Sequence, residues 1–330
     1  MKELQRTNWQ LACLDGGEPT GHEEWQDVRV PVLVQNSPFG LPVSELYKGD
    51  RIGELDWMRR KHWAFQTAFT VPPIYVDEET VYVFSGIDYR YDIYRNGTKV
   101  LSREGMFSPV EIPVSSGDNT LTVIIHPFAE NKNVREHLKA RCLCGDGWDF
   151  APKLQSAGFW DEAGLAVRKK LRVTCVNVKT TLGNDQRADA VVYAELSQPI
   201  TQGTVTVELA GVRRSFPVAG TDRLALPVHV PSPKLWWPNG FGEANLVELK
   251  IWLGDTLAYT AMVGLRSLDR VACDGQGAED YPLQLVVNNR KVFIKGVNWV
   301  PPDACPAEIT TEGCRVSLRM MAGISCPNMR

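Results

Sequence analysis

Period-two alternation of apolar and polar residues constrains this chain more than any other feature. Val205, Val207 and Leu209 alternate with Thr204, Thr206 and Glu208. A segment of that kind buries one strand face and wets the other. Glu78 to Ser85, with Val81-Tyr82-Val83-Phe84 at its centre, reads as a strand. So does Tyr91 to Val100, where Asn96-Gly97 between apolar residues predicts a type I′ hairpin turn. Thr120 to Ile125 predicts another strand, entered from the turn cluster Gly117-Asp118-Asn119. Short strands and frequent turns predict an antiparallel, mainly β fold, a jelly roll or sandwich. Arg6 to Pro73 is more irregular and carries Trp9, Trp25, Trp57 and Trp63. It predicts a first strand followed by long surface segments.

A second block begins near Leu171. Leu171–Val176, Ala190–Leu196, Thr204–Leu209, Arg223–Val230, Val247–Leu253 and Leu257–Val263 all predict strands. That many strands in roughly 100 residues fits an immunoglobulin-like β-sandwich. Leu283 to Ile294 predicts a hairpin around Asn288-Asn289. A helix is then expected from Thr310 or Thr311, with Glu312 in its first turn and Pro327 as its stop. Cys314, Leu318 and Met321 share one face of it and are expected to point inward. One strand and one helix cannot bury both of their apolar faces. Residues 269–330 therefore read as the start of an α/β domain rather than a whole one. The expected division is 1–170, 171–268 and 269–330.

Several function classes fall away on composition. Over 330 residues the formal net charge is −3, and no basic block occurs, so nucleic acid is not expected as a partner. The longest apolar runs, such as Leu121 to Ile125, are strand-sized and predict no membrane span. Met1 to Trp9 has a Lys but no apolar stretch of the secretory kind, which predicts a cytoplasmic protein. The eight Cys are irregularly spaced and are expected to be free, buried thiols. Cys142 and Cys144 with His137 lack a second pair at zinc-ligand spacing, so neither metal nor cofactor is expected. A homo-oligomer is compatible with the composition.

One loop stands apart. Cys144-Gly145-Asp146-Gly147-Trp148-Asp149-Phe150-Ala151-Pro152-Lys153 suits neither helix nor strand. Gly supplies backbone freedom and Pro fixes it, so the loop is shaped. Trp148 can plug a core, as most Trp residues do. It can equally cover the apolar face of a pyranose while Asp149 accepts hydrogen bonds from two hydroxyls.

Separate stretches, taken in order, decide between those readings. Tyr82 to Gly97, Gly105-Met106-Phe107, Gly147 to Lys153 and Gly158-Phe159-Trp160 are four of them. Leu235-Trp236-Trp237-Pro238-Asn239-Gly240-Phe241-Gly242, Val263-Gly264-Leu265-Arg266 and Val292 to Ala304 are the others. Together they resemble the front end of glycoside hydrolase family 2 enzymes, in the β-mannosidase branch. The resemblance implies a jelly-roll (galactose-binding-like) domain, an immunoglobulin-like domain and the first strand and helix of an incomplete (β/α)₈ barrel. It also implies that the family's two catalytic glutamates map to no residue here. Asp146 and Asp149 share a loop, but no feature would keep one of them protonated at neutral pH. Trp148 and Asp149 would reach the barrel mouth and contact the sugar. Asn298 and Trp299 would sit at the end of barrel strand one, where barrel enzymes place their chemistry. Asp303 is a weaker candidate that could simply cap its loop, and Trp236-Trp237-Pro238 reads as a packing element.

The chain departs from the family at Val30-Pro31-Val32, at Phe150, at Asp161-Glu162, at Glu308 and in the tail from Gly323 to Pro327. The function implied is retaining hydrolysis of terminal β-D-mannose from an oligosaccharide or glycoside. This chain would give scaffold and part of the pocket, and would be inactive alone. The alternatives are a stand-alone carbohydrate-binding module, or the specificity of a β-galactosidase, β-glucuronidase or exo-glucosaminidase.

Overall fold

The structure is a computed structural model. It describes residues 4–127, 154–183, 187–275, 277, 284–296, 298–299, 302–303 and 305–325. The chain divides into two units. One comprises Met1–Arg168 with Trp299–Ile324, the other Lys169–Asn298 with Ser325–Arg330. The fold is mainly β.

The first unit carries strands β1 (Trp9–Leu14), β2 (Gln26–Val28), β3 (Val32–Leu33), β4 (His62–Val71), β5 (Glu78–Phe84) and β6 (Ile87–Asp88). Next along the chain are β7 (Arg90–Arg95), β8 (Thr98–Glu104), β9 (Val110–Val114), β10 (Gly117–Ile125), β11 (Gly158–Phe159) and β12 (Ala163–Lys169). The main sheet runs β2-β1-β4-β10-β7-β8, and two small sheets run β3-β11-β6 and β12-β5-β9. Asn96 and Gly97 have φ of 49° and 78°, the left-handed pair that a two-residue hairpin requires.

Between the sheets lies an aromatic core. Phe159 stacks on Phe65 with ring centroids 4.6 Å apart and meets Trp9 edge-on at 5.0 Å. Trp9 Nε1 donates to the Tyr82 hydroxyl at 3.2 Å, so the polar end of each ring is satisfied. Burial pushes the Tyr82 phenol up to about 12.

Two expectations fail in this unit. The stretch expected to be surface segments contains β4, which pairs with both β1 and β10. Trp63 and Phe65 face the main core, while Ala64 faces a second cluster with Ala12, Leu14 and Ile124. With apolar side chains on both faces, no alternation shows in the sequence. The cluster Gly117-Asp118-Asn119 is not a turn but the first part of β10. Asn119 is buried there because its amide donates to the carbonyls of Ser115 and Gly117.

The second unit carries β13 (Val173–Leu182), β14 (Ala188–Leu209), β15 (Val212–Val230), β16 (Val247–Leu253) and β17 (Thr256–Val263). They form one sheet, β13-β14-β16-β17, with β15 paired to β14. Two of the expected strands are halves of β14. A register shift between Glu195 and Ile200 divides it. Its first half pairs with β13 and its second half with β16. Bulges of this kind bend a strand and let it change partners.

Strands β18 (Leu268–Val271), β19 (Gln284–Val287) and β20 (Arg290–Val292) form a separate sheet. Its hairpin turns at Asn288 and Asn289, with φ of 50° and 63°, as expected. The Asn288 side chain accepts from the Ser267 N–H and donates to the Trp236 carbonyl, tying the turn to the Trp pair. A Cβ on Gly264 would lie 2.9 Å from Trp236, and one on Gly242 2.8 Å from Trp237. Trp236-Trp237 is thus a packing element whose neighbours must be glycine.

Helix α1 (Val43–Leu46) is a single turn. Helix α2 (Thr311–Ser325) begins after the capping Thr310, whose hydroxyl accepts from Gly313 N–H at 3.1 Å. Leu318 does not point inward: it is 53% exposed. Met321 lies outside the described side chains. The described cysteines Cys13, Cys175, Cys273, Cys305 and Cys314 are free, but only Cys305 is buried. No described helix is long and apolar enough to cross a membrane.

Candidate functional site

Trp148 and Asp149 lie outside the described residues, as do Cys142, Cys144 and His137. The residues on either side of that stretch are well anchored. On the N-terminal side, His126 N–H donates to the Arg90 carbonyl at 2.9 Å, and the Arg90 guanidinium reaches the Pro127 carbonyl. On the C-terminal side, Leu154 enters the main core and the Ser156 hydroxyl donates to the buried Asp88 carboxylate. Asp88 and Arg90 are two residues apart. Both ends of the stretch therefore spring from one corner between β6 and β7.

The short 3₁₀ turn Val34–Asn36 holds the C-terminal side a second time. Gln35 is 2% exposed. Its amide donates to the Gln155 carbonyl at 2.7 Å and accepts from Ala157 N–H at 3.3 Å. A cavity of about 480 Å³ lies beside it, lined by Gln35, Asp50, Asp56, Arg59, Leu154 and Gln155 among others.

The next residue, Asn36, holds the segment beyond Trp299. Its Oδ1 accepts from Leu33 N–H at 2.9 Å and its Nδ2 donates to Glu308 Oε1 at 2.7 Å. Tyr47, just after α1, donates its hydroxyl to Asp303 Oδ1, which also accepts from Cys305 N–H at 2.7 Å. Asp303 thus does cap its loop. Cys305 is fully buried in the core of the first unit. Asn298 and Trp299 are themselves exposed, Trp299 at 40%. Gln35 and Asn36 were missed in the sequence. They sit where Asn36-Ser37-Pro38 signals only a turn, and a buried amide leaves no pattern of its own.

Burial pushes the Cys305 thiol up to about 12, and the Asp303 carboxylate adds to the rise. A thiol of this kind stays protonated and unreactive at ordinary pH. Iodoacetamide at pH 8 is expected to leave Cys305 unmodified in the native chain while labelling exposed Cys175. Peptide mapping checks this, and Cys305 labelled as fast as Cys175 would show the segment undocked.

Beside the corner is a polar cluster. His126 Nε2 lies 3.1 Å from Asp92 Oδ2, and its Nδ1 lies 3.2 Å from His62 Nδ1. Lys99 and Ser102 also bond the nearly buried Asp92. Burial raises the Asp92 carboxyl, but the bonds from Lys99, Ser102 and His126 outweigh it, and it titrates below its ordinary range. Burial, His126 and Arg90 all lower His62. The unfolded chain therefore takes up a proton at His62 first. Stability falls as pH drops through about 6.5, the ordinary histidine value, toward the lower folded value. Melting temperature is expected to decline between about pH 7 and pH 5, and His62→Gln to flatten that part of the curve. An unchanged slope in the variant would remove His62 as the cause.

Three of the sequence motifs meet at Trp160. Its Nε1 donates to the Met106 carbonyl at 2.9 Å, its N–H to the Gly86 carbonyl at 3.1 Å, and Phe107 packs edge-on at 5.8 Å. Gly86 must be glycine, because a Cβ there would overlap the Trp160 ring. These motifs carry the architecture of the first unit rather than chemistry.

That architecture has known counterparts. The model of the glycosyl hydrolase 2 galactose-binding domain-like family matches residues 9–161. Beta-mannosidase B of Aspergillus oryzae is 24% identical over 352 residues, covering 96% of this chain and 41% of that protein. Beta-mannosidase B of Aspergillus terreus is 26% identical, covering 92% and 40%. The chain is thus similar to β-mannosidases over nearly all of its length. The crystal structure of a β-D-mannosidase from Dictyoglomus thermophilum shares its fold with a TM-score of 0.78 at 23% identity, over 96% of this chain and 42% of that one. The exo-chitosanase of Amycolatopsis orientalis also shares the fold, with a TM-score of 0.67 at 17% identity, over 97% and 39% of the two chains. This chain spans about two fifths of the length of these relatives.

Proposed function

We propose that this chain serves a retaining exo-glycosidase of glycoside hydrolase family 2 that removes terminal β-D-mannose residues. It supplies the scaffold and part of the sugar pocket. The observation that carries this reading is the turn Val34–Asn36. Neighbouring residues of that turn hold Gln155 and Ala157, just past the Gly147-Trp148-Asp149 loop, and Glu308, just past Asn298-Trp299. That one turn bonds residues C-terminal to each half of the site read from the sequence supports the reading. In the proposal Trp148 covers the apolar face of the mannose ring and Asp149 accepts from two of its hydroxyls. Asn298 and Trp299 complete the wall from the first strand of a (β/α)₈ barrel. The exposure of Phe293 and Ile294, at 76% and 58%, supports that last placement. A barrel strand meets apolar neighbours on both faces only when the rest of the barrel is present.

Retaining hydrolysis needs an acid and a nucleophilic carboxylate about 5–5.5 Å apart. Neither role is assigned to a residue of this chain. The 330-residue chain is therefore expected to show no turnover of an aryl β-D-mannoside, and a longer protein containing it to show turnover. Turnover by the chain alone, abolished by replacing Asp146 or Asp149, would overturn the assignment.

A further inference from the structure

We infer that Asn36 and Tyr47 are positioning residues, which hold the segment following Trp299 within the first unit and so set where Trp299 meets the sugar. The inference rests on the function proposed above and adds a means to it. Trp299 is exposed and makes no rigid wall unaided. The segment C-terminal to it is fixed at Asp303, Cys305 and Glu308. Tyr47 donates to Asp303, Cys305 is fully buried in the core, and Asn36 donates to Glu308. Asp303 is used twice, since the same oxygen caps Cys305 N–H. The Asn36 side chain is itself oriented by the Leu33 N–H, which turns its amide nitrogen toward Glu308. Glu308 departs from the basic residue common in the family, and Asn36 is the donor that accommodates a carboxylate there.

The adjacent Gln35 grips Gln155 and Ala157. One rigid turn therefore references both segments to each other. A displacement of the Trp299 segment changes a stacking distance, and misplacement of about 1 Å is enough to cost up to 10²-fold in rate.

The test uses the longer protein that contains this chain, with 4-nitrophenyl β-D-mannopyranoside as probe. Asn36→Asp keeps the acceptor for Leu33 N–H but sets a carboxylate against Glu308. It is expected to lower kcat/KM about tenfold, mainly through KM. Glu308→Gln in the same protein restores a donor–acceptor pair, and kcat/KM is expected to return to within about twofold of the parent. Tyr47→Phe, which removes one hydroxyl from an exposed ring, is expected to raise KM alike. Melting temperatures near the parent's exclude general unfolding. Unchanged KM in Asn36→Asp and Tyr47→Phe would overturn the positioning role and leave the proposed function standing. So would a loss that Glu308→Gln fails to restore. A parent protein with no activity on this probe would overturn the proposed function, and the positioning role with it.

Discussion

Phe159→Ala is expected to destabilise the first unit by about 3–5 kcal/mol, the usual cost of emptying a buried aromatic site. Phe159 is fully buried and touches the rings of Trp9, Phe65 and Phe84. Phe65 belongs to β4 in the main sheet and Phe84 to β5 in a small one, so a single side chain joins the two layers. Its neighbours cannot collapse into the space, because each is held by its own strand. Urea unfolding followed by far-UV circular dichroism measures the loss. The β strands of the second unit give a separate transition, since their core is made of other residues. A loss below about 1 kcal/mol would show that the layers are joined elsewhere.

Gly86→Ala is expected to cost about 3 kcal/mol, near the upper end for overpacking. The added methyl would overlap the Trp160 ring, and that ring cannot swing away without breaking its bond to the Met106 carbonyl. The effect has a signature beyond its size. Trp160→Ala alone loses packing and one hydrogen bond. In the double variant the overlap is gone, so the two losses are expected to be strongly non-additive. Additive losses would mean that Trp160 is not what forbids a side chain at Gly86.

Much of the fold was legible in the sequence wherever local signals governed it. Asn96-Gly97 and Asn288-Asn289 each demand positive φ at successive positions, and that requirement is written in residue type alone. Val247–Leu253 shows one wet and one dry face, so its bounds could be read directly. What escaped was set by tertiary contact. β4 has apolar neighbours on both faces, which erases its periodicity. β14 is one strand of double length, and its bulge near Ser197 looks in sequence like a loop between two strands. Leu318 has the spacing of a core-facing residue, yet nothing described covers it.

The site divides along the same line. Gly147-Trp148-Asp149 is proposed because a ring beside a carboxylate has an evident chemistry, and Asn298-Trp299 because the resemblance puts them at the end of a barrel strand. Gln35 and Asn36 were not readable in the sequence. Their part is to hold backbone carbonyls and one carboxylate distant in sequence, and only the fold brings those partners within reach. Asp92 and His126 likewise meet across neighbouring strands, and no spacing announces the pair.

In the proposed function the Trp148–Asp149 loop of this chain contacts the mannose. The measurement that tests it most directly is kcat/KM on an aryl β-D-mannoside for the longer protein and for its Asp149→Ala variant. A carboxylate that accepts from two sugar hydroxyls contributes about 2–4 kcal/mol, so a fall of roughly 30-fold to 10³-fold is predicted. The melting temperature is predicted not to change. Unchanged kcat/KM in the variant would contradict the account.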